Sequence, residues 1–223
     1  MIRAVVFDLD GLMFDTEALF FRSASEVLES RGRRFTPEIM RAMIGRRSAE
    51  VAEALRTMAR LEEPVEQIQA EIRRRFDDQV DTAVHPTPGL FALLDHLHRV
   101  GLPAAVATSS SQAYAARLLN GHRLTGRFAF VLGSEDVTRG KPEPEIYLKA
   151  AERFGVPAAE TLVLEDSPAG LAAARAAGAF AVAIPHEHSP ADTLTAANLI
   201  VSRLDDPRLL ALIDDRMLAG EAR

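Results

Sequence analysis

Two carboxylates stand two residues apart in Asp8-Leu9-Asp10-Gly11, directly after an apolar, β-branched run over residues 2–7. On an extended backbone residues i and i+2 project to the same side, so the spacing aims both acids at one point. One of such a pair can attack phosphorus as a nucleophile while the other moves a proton to and from the leaving and entering oxygens. A second acidic pair, Glu165-Asp166, closes the apolar run 161–164, and the hydroxyls of Thr108-Ser109-Ser110 close the run 103–108. Clustered carboxylates repel and raise one another's pKa unless a cation lies among them. An all-oxygen set with a loose carboxylate cluster suits Mg²⁺. The chain carries 24 Arg but only two Lys, Lys141 and Lys149. A lysine is a compact point charge where an arginine is a planar fork. Phosphoryl transfer needs little beyond positioning and positive charge around the equatorial oxygens, which Mg²⁺ and Lys141 would supply, with Thr108 and the backbone N–H groups at the start of the following helix.

These residues meet only if the elements around them build one sheet. Strands are expected over 2–7, 103–108, 128–132, 161–164, 179–184 and 198–201, and helices over 90–100, 112–120, 144–154, 169–177 and 207–218. That alternation predicts an α/β fold, a Rossmann-like parallel sheet with helices on both faces. Ligands in open α/β sheets bind beyond the carboxyl ends of the strands. Those ends deliver Asp8, Asp10, Thr108, Ser109, Ser110, Glu165 and Asp166, with Lys141 in the loop before the helix that precedes the fourth strand, so four acidic side chains are expected to converge at one edge. Between residue 15 and about residue 84 the pattern changes to four helical segments without a strand. Phe20, Ala24, Val27 and Leu28 share a face of the first, and the second opens on Thr36-Pro37, a cap residue before a proline at the first helical position. The last repeats Ile68, Ile72, Phe76 and Val80 every four residues. The reading is an α/β core over 1–14 and 87–223 with an all-helical cap inserted at 15–86.

Composition narrows the function classes. The 223 residues are 48% hydrophobic and 26% charged, as in an ordinary globular chain. The absence of cysteine removes disulfides, thiolate metal sites and thiol nucleophiles. A net charge of −6 with two Tyr and no Trp argues against nucleic acid as the main partner. No apolar run approaches the ~20 residues that span a bilayer, and Asp8 and Asp10 interrupt any signal-like start. A cytoplasmic monomer acting on a small phosphate ester is expected.

Taken together, Asp8-Leu9-Asp10-Gly11, Thr108-Ser109-Ser110, Gly140-Lys141-Pro142 and Leu164-Glu165-Asp166-Ser167-Pro168-Ala169-Gly170 resemble the four motifs of the haloacid dehalogenase superfamily, in the family's order. The inserted helices resemble its C1 cap. The resemblance implies that Asp8 is the nucleophile, Asp10 the general acid/base, and Thr108 and Lys141 the groups that bind the transferring phosphoryl. It implies Mg²⁺ held by Asp8, the Asp10 carbonyl and Asp166, with Glu165 in support directly or through water.

Within the superfamily, Asp10 argues against a dehalogenase, which needs no second acid. Residues 15–84 contain no lysine, which excludes the phosphonate-cleaving members with their cap Schiff base. The stretch Gly11-Leu12-Met13-Phe14-Asp15-Thr16-Glu17 resembles the sugar-phosphate phosphatases and β-phosphoglucomutases. Mutases carry a cap histidine where this chain has Phe20, and a cap lysine it lacks, so a phosphatase is expected, with a mutase as the alternative and a non-enzymatic phospho-ligand-binding regulator as the second. Glu17 and Arg46-Arg47 are expected to contact the non-reacting part of the substrate, together with Ser109 and Ser110. His96, His98, His186 and His188 read as surface residues, and the charged run 71–78 as a solvated helix face.

Overall fold

The computed structural model describes residues 1–43 and 48–218. In chain order the elements are β1 (Ala4–Phe7), α1 (Thr16–Glu29), α2 (Pro37–Met43), α3 (Ser48–Ala59), α4 (Val65–Ala83), α5 (Leu90–Arg99), β2 (Ala104–Ala107), α6 (Gln112–Gly121), β3 (Val131–Leu132), α7 (Glu145–Phe154), β4 (Thr161–Glu165), α8 (Pro168–Ala177), β5 (Phe180–Ala183), β6 (Leu199–Ile200) and α9 (Pro207–Leu218). The chain divides into two compact units, Met1–Phe14 with Pro86–Arg223, and Asp15–His85.

In the first unit the strands form one parallel sheet in the order β3-β2-β1-β4-β5-β6. Strands β1, β2 and β4 are buried along their whole length, as expected where helices cover both faces. Val6, Ala107, Val163 and Ala181 share a core with Ile146, Tyr147 and Ala150 of α7 and Leu171 and Ala174 of α8. The chain runs outward from β1 through β2 to β3, then returns to place β4 on the other side of β1. The β1/β4 boundary is therefore the point where strand order reverses, the place beyond whose carboxyl ends open α/β sheets bind their ligands.

The end strands differ from expectation: β3 and β6 keep two residues each. Both are edges, paired on one side only, although Ala129 N–H donates to Ala104 at 2.8 Å and Asn198 N–H to Ala181 at 2.8 Å, carrying the ladder past them. His96 also departs from its surface reading. It is 6% exposed, and its Nε2 lies 2.9 Å from Asp214 Oδ1 on α9, because it falls within the apolar face of α5, beside Leu93, Leu94 and Leu97.

The second unit is helical, with a core of its own built from residues such as Val27, Leu28, Leu55, Ile68 and Ile72, against which Phe20 packs half-buried. Asp15 caps α1 by accepting from Ala18 N–H at 3.2 Å, and Thr36 caps α2 through Ile39 N–H at 3.4 Å. The run 71–78 is solvated only in part. Arg73–Asp77 and Arg74–Asp78 are exposed i,i+4 pairs, whereas Glu71 accepts from Arg31 Nη2 at 2.7 Å, tying α4 to the end of α1. Gly45, Arg46 and Arg47 lie outside the described residues.

Where the insertion leaves the first unit, Phe14 pairs antiparallel with Pro86. Thr87 N–H donates to Met13 at 2.9 Å and its hydroxyl to Leu12 at 2.6 Å. At the root of the second unit, Asp15 N–H donates to His85 at 3.3 Å.

Candidate active site

Asp8 is the first residue past β1, and its N–H still donates to Leu164 of β4 at 3.0 Å. The side chain is buried at the β1/β4 boundary. Lys141 reaches it from the loop before α7: Nζ lies 2.5 Å from Asp8 Oδ1, 2.7 Å from Glu165 Oε1 and 3.1 Å from the Ala107 carbonyl. That loop is fixed from behind by Glu145, whose carboxylate accepts the N–H groups of Thr138 and Arg139 at 2.9 Å each. Tyr147, two residues further on, donates its hydroxyl to Glu165 Oε1 at 2.5 Å and sets its ring 5.0 Å from the Lys141 ammonium.

Glu165 is fully buried. Its Oε1 receives Lys141 and Tyr147, and its Oε2 receives the N–H groups of Asp166 and Ser167 at 3.2 Å and the Ser167 hydroxyl at 2.9 Å. Ser167 in turn caps α8 by accepting from Gly170 N–H. A Cβ on Gly170 would stand 1.7 Å from Glu165 Oε1, so only glycine lets α8 start against this carboxylate.

Asp8, Glu165 and Asp166 each offer an oxygen, and these atoms lie within 4.8 Å of one another. Burial pushes the Asp8 carboxyl well above its ordinary range; the Lys141 charge opposes this, and those of Glu165 and Asp166 add to it. Burial acts to lower the Lys141 pKa, but the Asp8 and Glu165 charges outweigh it and hold the ammonium well above its usual value. Three carboxylates against one ammonium leave an excess of negative charge in a buried place. Hard oxygen donors so arranged fit a divalent cation, which would relieve that excess.

Asp10 stands apart. Four acids were expected together, yet among the described residues the gathered group is three. The Asp10 carboxylate instead accepts from Ser110 Oγ at 2.7 Å, Tyr114 OH at 3.2 Å and Thr108 Oγ1 at 3.5 Å. The same-side argument holds for extended backbone, and β1 ends at Phe7; beyond it the chain folds back, with Met13 and Phe14 N–H groups donating to Leu9 at 3.0 and 3.2 Å. Gly11 makes that turn at φ +81°, and a Cβ there would meet Asp166 Oδ2 at 2.0 Å. Thr108 is buried at the end of β2 and receives Ser110 N–H at 3.0 Å, while Ser109 is exposed and Ser110 half-buried. Glu17 is half-buried in the first turn of α1, in the second unit. Arg47 is outside the described residues.

Three site neighbours escaped the sequence reading. The chain has only two tyrosines, and both Tyr114 and Tyr147 hydrogen-bond a site carboxylate; the same rarity that marked lysine could have marked them. His186 is half-buried. Its Nε2 lies 2.9 Å from Asp166 Oδ2, because it follows β5 at the same carboxyl edge of the sheet. His188, beside it, is half-buried, and His98 is exposed.

A parallel sheet whose reversal point gathers a buried aspartate, a lysine and two further acids defines a Rossmann-like α/β protein with a carboxylate-rich site at its strand ends. The chain belongs to the haloacid dehalogenase-like hydrolases, whose family model matches residues 5–184. It is 33% identical over 181 residues to a phosphorylated carbohydrates phosphatase of Thermotoga maritima, covering 79% of this chain and 82% of that one. It is 30% identical over 206 residues to a bifunctional riboflavin kinase/FMN phosphatase of Arabidopsis thaliana, covering 92% of this chain but only 54%, about half, of that protein. A Thermotoga maritima structure provisionally identified as a β-phosphoglucomutase superposes with a TM-score of 0.83 at 27% identity, covering 96% of this chain and 99% of the other. Among the described residues, no helix is long and apolar enough to cross a membrane.

Proposed function

We propose that this protein is a Mg²⁺-dependent phosphatase that hydrolyses small phosphorylated metabolites, sugar monophosphates foremost, through an aspartyl phosphate on Asp8. The observation that carries the reading is the buried contact of Asp8 Oδ1 with Lys141 Nζ at 2.5 Å beside Glu165 and Asp166. In the first step an Asp8 oxygen attacks phosphorus and the P–O bond to the alcohol breaks, while Asp10 protonates the departing alkoxide. In the second, Asp10 takes a proton from water, which attacks the acyl phosphate and releases phosphate and free Asp8. Lys141 and the Thr108 hydroxyl hold the phosphoryl oxygens through both steps. Asp8, the Asp10 carbonyl and Asp166 would hold Mg²⁺, with Glu165 in support, and the ion supplies charge neutralisation at the phosphoryl oxygens. Five protein donors already engage Glu165, which suits it to fixing Lys141 and the Asp166 backbone.

Glu17 and Arg47, with Ser109 and Ser110, are the groups we assign to the rest of the substrate. The similarity to a phosphatase of phosphorylated carbohydrates supports the sugar class. We take the enzyme to be a cytoplasmic monomer without a nucleic-acid partner.

The test is release of phosphate from p-nitrophenyl phosphate and then from a panel of sugar monophosphates, with Mg²⁺ and with EDTA. Hydrolysis that needs Mg²⁺ and favours sugar phosphates is expected. Activity surviving chelation contradicts the metal assignment, and failure on every ester favours a phospho-ligand-binding regulator. Production of glucose 6-phosphate from β-glucose 1-phosphate faster than hydrolysis would make the protein a mutase instead.

A further inference from the structure

We propose that His186 is a positioning residue of the cation site: its imidazole N–H fixes one oxygen of Asp166 so that the carboxylate is presented to a divalent cation. The inference rests on the reading of Asp166 as a cation ligand given above.

The direction of the hydrogen bond follows from its surroundings. His186 Nδ1 accepts the backbone N–H of His188 at 3.3 Å, so the ring hydrogen resides on Nε2. A carboxylate only accepts, and Nε2 lies 2.9 Å from Asp166 Oδ2. The ring is therefore a donor, oriented from both ends.

The backbone around it is fixed just as closely. His186 and Ser189 exchange N–H···O bonds at 3.2 and 3.1 Å, closing a tight turn beyond β5. The Ser189 hydroxyl, buried, donates to the Asp166 carbonyl at 2.5 Å. One short loop thus grips Asp166 twice, by its carbonyl through Ser189 and by its carboxylate through His186. Gly11 supplies the room: the Cβ it lacks would come within 2.0 Å of Asp166 Oδ2 and 3.3 Å of His186 Nε2. The left-handed turn after Asp8 and the loop after β5 meet at this one hydrogen bond.

The bond has an electrostatic use. Asp166 shares a small volume with Asp8 and Glu165, and like charges so close rotate apart unless something holds them. Lys141 holds Asp8 and Glu165, and His186 does the equivalent for Asp166. Ligating carboxylates held in this way bind metal more tightly, and loss of the outer partner typically costs about 10–100-fold in affinity.

The test is titration of the full chain with Mn²⁺, free ion followed by electron paramagnetic resonance, without substrate. His186→Ala and His186→Phe, the second keeping the ring's bulk without its N–H, should each bind Mn²⁺ about 10–100-fold more weakly than wild type. His186→Gln, whose amide carries an N–H to nearly the same point, should restore binding close to wild type. The Mg²⁺ concentration for half-maximal phosphate release should rise by the same factor in the first two variants. Wild-type Mn²⁺ affinity in His186→Phe, or a His186→Gln as weak as His186→Phe, overturns the inference while leaving the phosphatase reading intact. Failure of the wild-type chain to bind Mn²⁺ removes both.

Discussion

Asp8 and Asp10 are two residues apart, and their surroundings differ. Asp8 is closed in with an ammonium and two acids, whereas Asp10 is held by three hydroxyls, those of Thr108, Ser110 and Tyr114. A nucleophile needs a fixed line of attack and a proton shuttle needs neighbours that trade hydrogen bonds as it gains and loses its proton. Asp8→Asn should therefore abolish turnover, since an amide cannot form the acyl phosphate. Asp10→Asn should slow turnover about 10²–10⁴-fold while still allowing phosphate label to be trapped on the protein after acid quenching. Label appearing in Asp8→Asn would refute the covalent route. The residues legible in the sequence were those whose type is rare or costly at a strand end: paired acids and one of two lysines. Those that were not are Tyr114 and Tyr147, whose rings a helix pattern absorbs without comment, and His186, which reads as an ordinary loop residue at the surface. Their polar tips acquire meaning only once the fold brings a carboxylate to them.

At the scale of elements, the loop carrying Lys141 owes its shape to Glu145 in the first turn of α7. Accepting the Thr138 and Arg139 N–H groups, with further help from Lys149, lowers the Glu145 pKa from 4.5 to about 2. Between those values the unfolded chain takes up a proton that the folded chain refuses. The stabilisation is therefore complete above about pH 4.5 and is lost as the pH falls toward 2. Glu145→Gln should be less stable than wild type near neutrality, with the gap closing over that acid range in urea denaturation curves taken at successive pH values. A gap independent of pH would mean that the carboxylate's charge is not what orders the loop. The central strands and the long helices followed from hydrophobic period alone, because β1, β2 and β4 are covered on both faces. The ends β3 and β6 were overdrawn, since composition favours a strand there but only one neighbour exists to pair with it. Nor could period show that β5 ends at the site, because the turn that aims His186 is closed by Ser189 and packs against Gly11, contacts between segments far apart in sequence.

Among the described residues each unit has a core of its own, one between sheet and helices and one among the inserted helices. Among the described residues, the hydrogen bonds that hold Lys141 and Glu165 beside Asp8 are made within the first. Ile68→Ala, emptying a fully buried position in the second core, should cost that unit about 2–5 kcal/mol, read as an earlier unfolding transition. Mn²⁺ binding below that transition should match wild type; a matching loss of Mn²⁺ affinity would show that the acid cluster depends on the helical core. The join between the units bears on how such a protein can change over generations. The chain leaves at Phe14 and returns at Pro86, adjacent residues in space that already pair with each other, with Thr87 fastening the return strand to Leu12 and Met13. The junction is sealed on the catalytic side whatever is grafted beyond it. An insert of different length or shape needs only two neighbouring ends to be accepted, so selection can redraw the inserted helices while the sheet and its strand ends are inherited unaltered.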